Sequence, residues 1–139
     1  MRTHLTAIVL FLAVGSLVLG LARPALAELG DISVGGVWSF RLMRGIAGMS
    51  LAERVADVER RITNVLSNPQ YRQTGVTLRV RPAGSGAAIM VEGAVIITVT
   101  PDDVAATGVK VTTVELARQW AGRLARGINQ AFPARVASF

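Results

Sequence analysis

Apolar and polar residues alternate over residues 32–43, with Trp38 and Phe40 on the same side of the pattern. A period of two residues is typical of a half-buried β-strand. Gly35 and Gly36 interrupt this segment, and glycine readily adopts the positive φ angles of tight turns and bulges. The pattern therefore predicts strand structure with a hairpin turn or a bulge at the two glycines.

The next segment changes to the helical period of three to four residues. Ser50 and Glu53 have the spacing of a capping box, in which a hydroxyl and a carboxylate bind unpaired amides of the first turn. We predict a helix from Ser50 to about Ser67, with charged residues such as Arg54 on its outer faces. Its predicted apolar face consists of Leu51, Val55, Val58, Ile62 and Val65.

Three further strands are predicted, over residues 76–81, 88–91 and 94–99. The first of them alternates so that Arg79 and Arg81 point outward. Glu92 and Gly93 separate the last two strands, and an apolar run on each side of a two-residue turn that contains glycine indicates a hairpin.

The end of the chain again shows helical signals. Thr100, followed by a proline and two aspartates, predicts a short capped helix that ends at about Thr107. Thr112 and Glu115 repeat the capping-box spacing, and we predict a final helix that runs to about Ala131. Its apolar residues recur every four positions, at Leu116, Trp120, Leu124 and Ile128.

This order of elements predicts the α+β class. We expect one small antiparallel or mixed sheet of about four to five strands, with the two long amphipathic helices packed on one face. The expected core takes one apolar side from each element: Trp38, Phe40, Val55, Val58, Ile62, Leu78, Ile96, Leu116, Trp120, Leu124 and Ile128.

The first 27 residues are typical of a secretory signal peptide. Arg2 gives a basic start, residues 5–22 are apolar or small, and residues 25–27 read Ala-Leu-Ala, which suits a signal peptidase. We expect cleavage before Glu28, which leaves a single extracytoplasmic domain over residues 28–139 with its core at about 32–132. The alternative is that residues 1–27 are retained as a membrane anchor, since about 18 apolar residues nearly span a bilayer core.

An exported chain is expected in the periplasm, in the cell envelope or outside the cell, with no membrane span after cleavage. The formal net charge is +6 over the whole sequence and falls to +4 without residues 1–27. A positive charge of this size, in a compartment without nucleic acid, does not predict nucleic-acid binding. We therefore expect a protein or another envelope component as the partner.

The side chains that most active sites use are missing from the expected mature chain. The sequence has no cysteine, and its one histidine is His4 in the leader. This excludes the usual zinc sites, a serine–histidine pair and a cysteine nucleophile. No glycine-rich phosphate-binding motif is present either, so we expect no cofactor, no metal and no catalytic activity.

Two catalytic routes remain as alternatives. A Ser–Lys dyad would use Lys110, the only lysine. A carboxylate pair or a carboxylate metal site would make the protein an envelope hydrolase. That route would draw on Asp31, Asp57, Glu59, Glu92, Asp102, Asp103 and Glu115. Helix capping is the competing explanation for Asp102, Asp103 and Glu115.

Five arginines are candidates for contact with an anion or a partner. They lie on the outward face of a predicted strand or on the polar side of the last predicted helix: Arg79, Arg81, Arg118, Arg123 and Arg126. The alternative is that they are simply solvated, as is ordinary for exposed arginine. Trp38 and Trp120 are predicted to be buried, with stacking on a ligand as the alternative.

Several of these segments together resemble a known module. They are Val34-Gly35-Gly36-Val37, residues 50–56 (SLAERVA), residues 95–100 (VIITVT), Asp102-Asp103-Val104-Ala105 and residues 116–121 (LARQWA). They resemble the extracytoplasmic module that precedes the channel domain in some bacterial, notably cyanobacterial, small-conductance mechanosensitive channel family proteins. The resemblance covers about residues 32–132 and brings no active-site residues. It implies a non-catalytic binding or interaction module that acts with a membrane channel or an envelope component.

Overall fold

The computed structural model describes residues 30–132, without the side chains of Gln73 and Thr74. The predicted signal segment and its cleavage site lie outside the described residues. The α+β class is confirmed. In chain order the elements are β1 (Asp31–Val34), β2 (Val37–Arg41), α1 (Leu51–Leu66), α2 (Tyr71–Thr74), β3 (Leu78–Ala83), β4 (Gly86–Val91), β5 (Ala94–Val99), α3 (Pro101–Thr107) and α4 (Thr113–Ala131).

The strands form two antiparallel sheets, not the single sheet that the sequence predicted. β1 and β2 make a two-stranded hairpin, and the other sheet has the order β3-β4-β5. The long helix α4 contacts strands of both sheets, while α1 packs against β5 and β1. The hairpin therefore buries its apolar residues against helices and needs no strand of the larger sheet beside it.

The predicted helix starts are confirmed, because each predicted cap is formed. In α1, the backbone N–H of Ser50 donates to Glu53 Oε2 at 2.8 Å, and the N–H of Glu53 donates to Ser50 Oγ at 3.3 Å. Thr112 and Glu115 form the same reciprocal pair at α4. Thr100 and Asp103 form a third capping box at α3, with Asp103 in the place usually taken by glutamate.

The core lies between α4, α1 and the two sheets. From α4 it takes Leu116, Trp120, Leu124 and Ile128, all of them buried as predicted. The ring of Trp120 stacks on Phe40 of β2, with 4.6 Å between ring centroids and 5° between ring planes. Two predicted core residues, Val55 and Leu78, are half-buried and pack against the outside of this cluster.

Trp38 is not in the core, which corrects the prediction from alternation. Ile32 lies opposite Phe40, but Ser33 lies opposite Trp38, so Ser39 is an extra residue in β2. Such a β-bulge places two residues of one strand against one of the other and breaks the alternation of faces. As a result Phe40 is fully buried, whereas Trp38 exposes 46% of its surface.

Arg54 is also placed differently from the prediction, which put it on an outer face of α1. Only 3% of its surface is exposed. Its guanidinium donates to both carboxylate oxygens of Asp103, at 2.7 Å each. It also donates to the backbone oxygens of Arg44, at 2.9 Å, and Thr98, at 3.1 Å. This buried ion pair ties α1 to α3, to β5 and to the loop before α1.

The predicted hairpin at Glu92 and Gly93 is confirmed. Both residues have positive φ, 49° and 81°, as a type I′ turn requires. Among the helices over residues 30–132, none has the length and apolar character needed to cross a bilayer.

Candidate functional site

An open groove of about 300 Å³ lies between strand β2, the loop from α3 to α4, and the first half of α4. We call it the Trp38 groove. Six of its ten lining residues are apolar or aromatic. The lining residues are Trp38, Arg41, Met43, Thr107, Val109, Val111, Leu116, Gln119, Trp120 and Arg123.

Three large apolar side chains at this groove are exposed to solvent. Trp38 exposes 46%, Met43 50% and Val109 59% of their surfaces. Within residues 30–132, the two other large apolar residues with high exposure are Ile46 and Val95, and neither lines the groove. Exposed apolar residues scattered singly are ordinary, but a group of them at one concave site is typical of a binding surface.

Trp38 is held in place by a hydrogen bond. Its indole Nε1–H donates to Asp31 Oδ1 at 3.0 Å. Arg41, also in β2, donates to the same carboxylate through Nε at 2.7 Å and Nη2 at 3.0 Å. The hydrogen bond from Arg41 has the largest effect on the pKa of Asp31, and the hydrogen bond from Trp38 adds to it. Together they keep this pKa below its usual range. The charged carboxylate therefore serves as a fixed acceptor that orients the indole.

Arg123 of α4 lies over the indole ring of Trp38, with Cζ 5.0 Å from the ring centroid. This distance is within the range of a cation–π interaction. Below the two residues, Trp120 and Leu116 are almost fully buried and form the floor of the groove. The exposed indole is thus positioned against a rigid base of core side chains.

One wall of the groove is built by a short turn at the end of α3. Gly108 has a φ of 70°, a left-handed conformation that ends the helix. The N–H of Val109 then donates to Thr107 Oγ1 at 3.3 Å, and the N–H of Val111 donates to the Val109 carbonyl at 3.1 Å. These bonds set the turn that brings Val109 and Val111 to the groove.

The five arginines predicted as contact residues do not share one cavity. Arg123 lines the Trp38 groove, and Arg79 and Arg81 line a separate depression together with Glu92. The remaining two, Arg118 and Arg126, are exposed on α4 and line neither site. The structure therefore does not bring the predicted patch together: three of the five arginines lie at two separate sites, and two lie at neither.

Most of the carboxylates considered for catalysis have local structural partners. Asp103 binds Arg54, and Asp57 binds Arg60 and, at 2.8 Å, Arg61. The others with partners are Asp31, in its pair with Arg41; Glu115, in the cap of α4; and Glu92, which accepts a hydrogen bond from the Thr77 N–H. Within residues 30–132, histidine, cysteine, aspartate and glutamate form no group of three suited to a metal ion.

Sequence reasoning missed most of this groove. Met43, Val109 and Val111 lie in loops, where hydrophobic periodicity does not say which way a side chain points. The exposure of Trp38 depends on the bulge at Ser39. The two glycines of the hairpin were a sequence signal for irregular structure nearby, but not for its position in β2.

Comparison with known proteins gives a family without a described function. The model of DUF8459, described as a domain of unknown function, matches residues 31–131, from the start of β1 to the end of α4. The chain therefore belongs to this family. No curated protein and no solved structure matches the chain.

Proposed function

We propose that this DUF8459 domain is a non-catalytic binding module and that the Trp38 groove is its contact surface. The observation that carries the proposal is the exposed indole of Trp38, held between Asp31 and Arg123 above a floor of core residues. An exposed tryptophan loses little conformational freedom on binding when it is already fixed, and fixed aromatic residues dominate many interfaces.

The polar groups in and beside the Trp38 groove favour binding over catalysis. Asp31 and Arg41 neutralise each other in a two-hydrogen-bond pair, and Asp31 is not among the groove-lining residues. The lining residues contain no carboxylate, histidine or cysteine that could serve as a nucleophile or a general base. The groove offers apolar area and hydrogen-bond donors, and these are the elements of recognition.

The proposed setting is outside the cytoplasm, with a protein or another component of the cell envelope as the partner. The signal-peptide pattern of residues 1–27 supports export. The resemblance to the module ahead of mechanosensitive channels supports a membrane channel as one such partner. The proposed export and the proposed channel partner both rest on the sequence. The Trp38 groove makes the partner testable, because a change in the groove should weaken binding.

Crosslinking in living cells tests this function. The full chain, with a C-terminal affinity tag, is expressed as wild type, as Trp38→Ala and as Val95→Ala. Val95 is the matched control, because it is an exposed apolar residue outside the groove. We expect one envelope protein to be captured equally by wild type and Val95→Ala, and at least about tenfold less by Trp38→Ala, as for an interface hot spot.

Two results would overturn the proposal. One is capture that is unchanged by Trp38→Ala, and the other is equal loss in both variants. Circular dichroism of each purified variant shows whether loss of capture comes from the contact surface and not from unfolding.

A further inference from the structure

We infer that the Trp38 groove recognises a peptide segment that places a carboxylate side chain next to an aromatic or large apolar side chain. This inference rests on the proposed function and adds the chemistry of the partner.

The groove carries a positive charge without a matching negative one. Its lining includes the guanidinium groups of Arg41 and Arg123 and no carboxylate. The charge of Arg41 is matched by Asp31 through two hydrogen bonds. Among the described residues, Arg123 forms no ion pair, and its guanidinium rests on the Trp38 ring. A carboxylate that arrives beside the indole would form a charge-assisted hydrogen bond with Arg123.

The apolar part of the groove fits one or two side chains. A volume of about 300 Å³ is at the small end of the range for ligand pockets. Met43 at the rim has a flexible thioether side chain that adapts to the shape of an aromatic partner. The carboxylate and the apolar group must therefore be close neighbours in the partner.

A peptide segment fits the groove better than a free small acid does. About half of the surface of Trp38, Met43 and Val109 is exposed around the opening. A small molecule inside the groove would leave this apolar rim in water, whereas the chain on either side of a bound residue would cover it. The open rim thus points to a macromolecular partner.

A second copy of the same chain is a poor match for this charge pattern. Residues 30–132 contain 12 lysines and arginines against 8 aspartates and glutamates. Several of those carboxylates are already engaged in helix caps or ion pairs, among them Glu53, Asp57, Asp103 and Glu115. The partner is therefore expected to be a different and locally acidic protein.

A random-heptapeptide display library tests the inference on the immobilised full chain. The selecting proteins are wild type, Trp38→Ala, Arg123→Glu and Arg126→Glu. Arg126 is the matched control, since it is an exposed arginine of the same helix that does not line the groove. Circular dichroism is again used to verify that each variant is folded.

We expect wild type and Arg126→Glu to enrich the same peptides, which carry Asp or Glu next to Phe, Trp, Tyr or Leu. Trp38→Ala should lose the enrichment. Arg123→Glu should retain the apolar preference but replace the acidic residue by Lys or Arg. A synthetic peptide from the wild-type selection should bind at least about fivefold more weakly when its carboxylate residue is changed to the amide.

The possible failures are distinguishable. Apolar peptides without an acidic residue, still dependent on Trp38, would overturn the inference and leave the proposed function standing. The inference is overturned in the same way if Arg126→Glu changes the acidic preference as much as Arg123→Glu does. If no peptide is enriched, or if enrichment does not depend on Trp38, peptide recognition by this groove is refuted. The proposed function is refuted as well only if the crosslinking capture in cells is also independent of Trp38.

Discussion

Arg123 and Trp38 come from elements far apart in the sequence, yet the Arg123 guanidinium carbon lies 5.0 Å from the centroid of the Trp38 indole. Asp31 fixes the same indole from its nitrogen edge. The two contacts hold a large apolar ring at the surface, with nearly half of its area exposed to water. This is the arrangement that we interpret as a prepared contact surface.

The two tryptophans are expected to respond differently to truncation. Trp120→Ala should lower the free energy of unfolding by about 3 to 5 kcal/mol, because it empties an aromatic core site and removes the stack on Phe40. Trp38→Ala should cost less than about 1 kcal/mol, because nearly half of the residue is exposed and it lies outside the core cluster. Urea denaturation of both variants measures the difference, and equal losses would show that Trp38 is a core residue.

The elements of this fold were predictable because their signals are local. Ser50, Thr100 and Thr112 each precede an acidic residue by three positions, and each begins a helix as predicted. The division into two sheets was not predictable, since it depends on how α4 packs on the hairpin. The position of Trp38 was not predictable either. The extra residue Ser39 moves Trp38 to the face of β2 opposite that of Phe40.

The candidate site was predictable only in fragments. Arg123 was selected from the sequence as a contact residue, but together with four arginines that lie elsewhere. Val109 and Val111 carry no periodic signal, and Met43 lies beyond the end of β2 although the alternating pattern extended to it. Arg54 was misplaced for a related reason: its partner Asp103 is 49 positions away, and helical periodicity contains no information on distant ion pairs.

The buried pair of Arg54 and Asp103 is expected to be a major determinant of stability. Arg54→Met should cost about 3 to 5 kcal/mol, because it leaves the Asp103 carboxylate buried without its cation. Arg60→Met on the same helix is the control and should cost less than about 0.5 kcal/mol, since Arg60 is exposed. Chemical denaturation measures the free energy of unfolding of both variants. Similar losses would mean that the buried pair contributes no more than a surface pair.

Two glycines of α4 provide a test of how closely the helix approaches the hairpin. A Cβ atom at Gly127 would lie 2.6 Å from the Val34 carbonyl oxygen, so Gly127→Ala should destabilise the protein by about 1 to 3 kcal/mol. A Cβ at Gly122 meets nothing within 4 Å. Gly122→Ala should therefore stabilise the helix by about 0.5 to 1 kcal/mol. Thermal melting shows whether each variant is less or more stable than wild type. A Gly127→Ala variant as stable as wild type would contradict this packing.

Acid should release the indole of Trp38. The hydrogen bonds from Arg41 and Trp38 lower the pKa of Asp31 in the folded state, so the carboxylate stabilises the fold above its unfolded pKa, near 4. That stabilisation is lost as pH falls below about 4 and through the lower folded pKa. The stability difference between wild type and Asp31→Asn should thus shrink between pH 5 and the folded pKa, and a difference independent of pH would refute the role of Asp31.

The most direct test of the groove uses the indole signals themselves. The sequence contains two tryptophans, so the ¹⁵N-labelled protein gives two Nε1–H resonances, which Trp38→Phe assigns. On titration with the most enriched display peptide, we expect the Trp38 Nε1–H and Arg123 Nε–H signals to shift together and to saturate at the same peptide concentration. If both stay in place while signals of Arg79 and Arg81 move, the partner binds the other surface and the Trp38 groove is not the binding site.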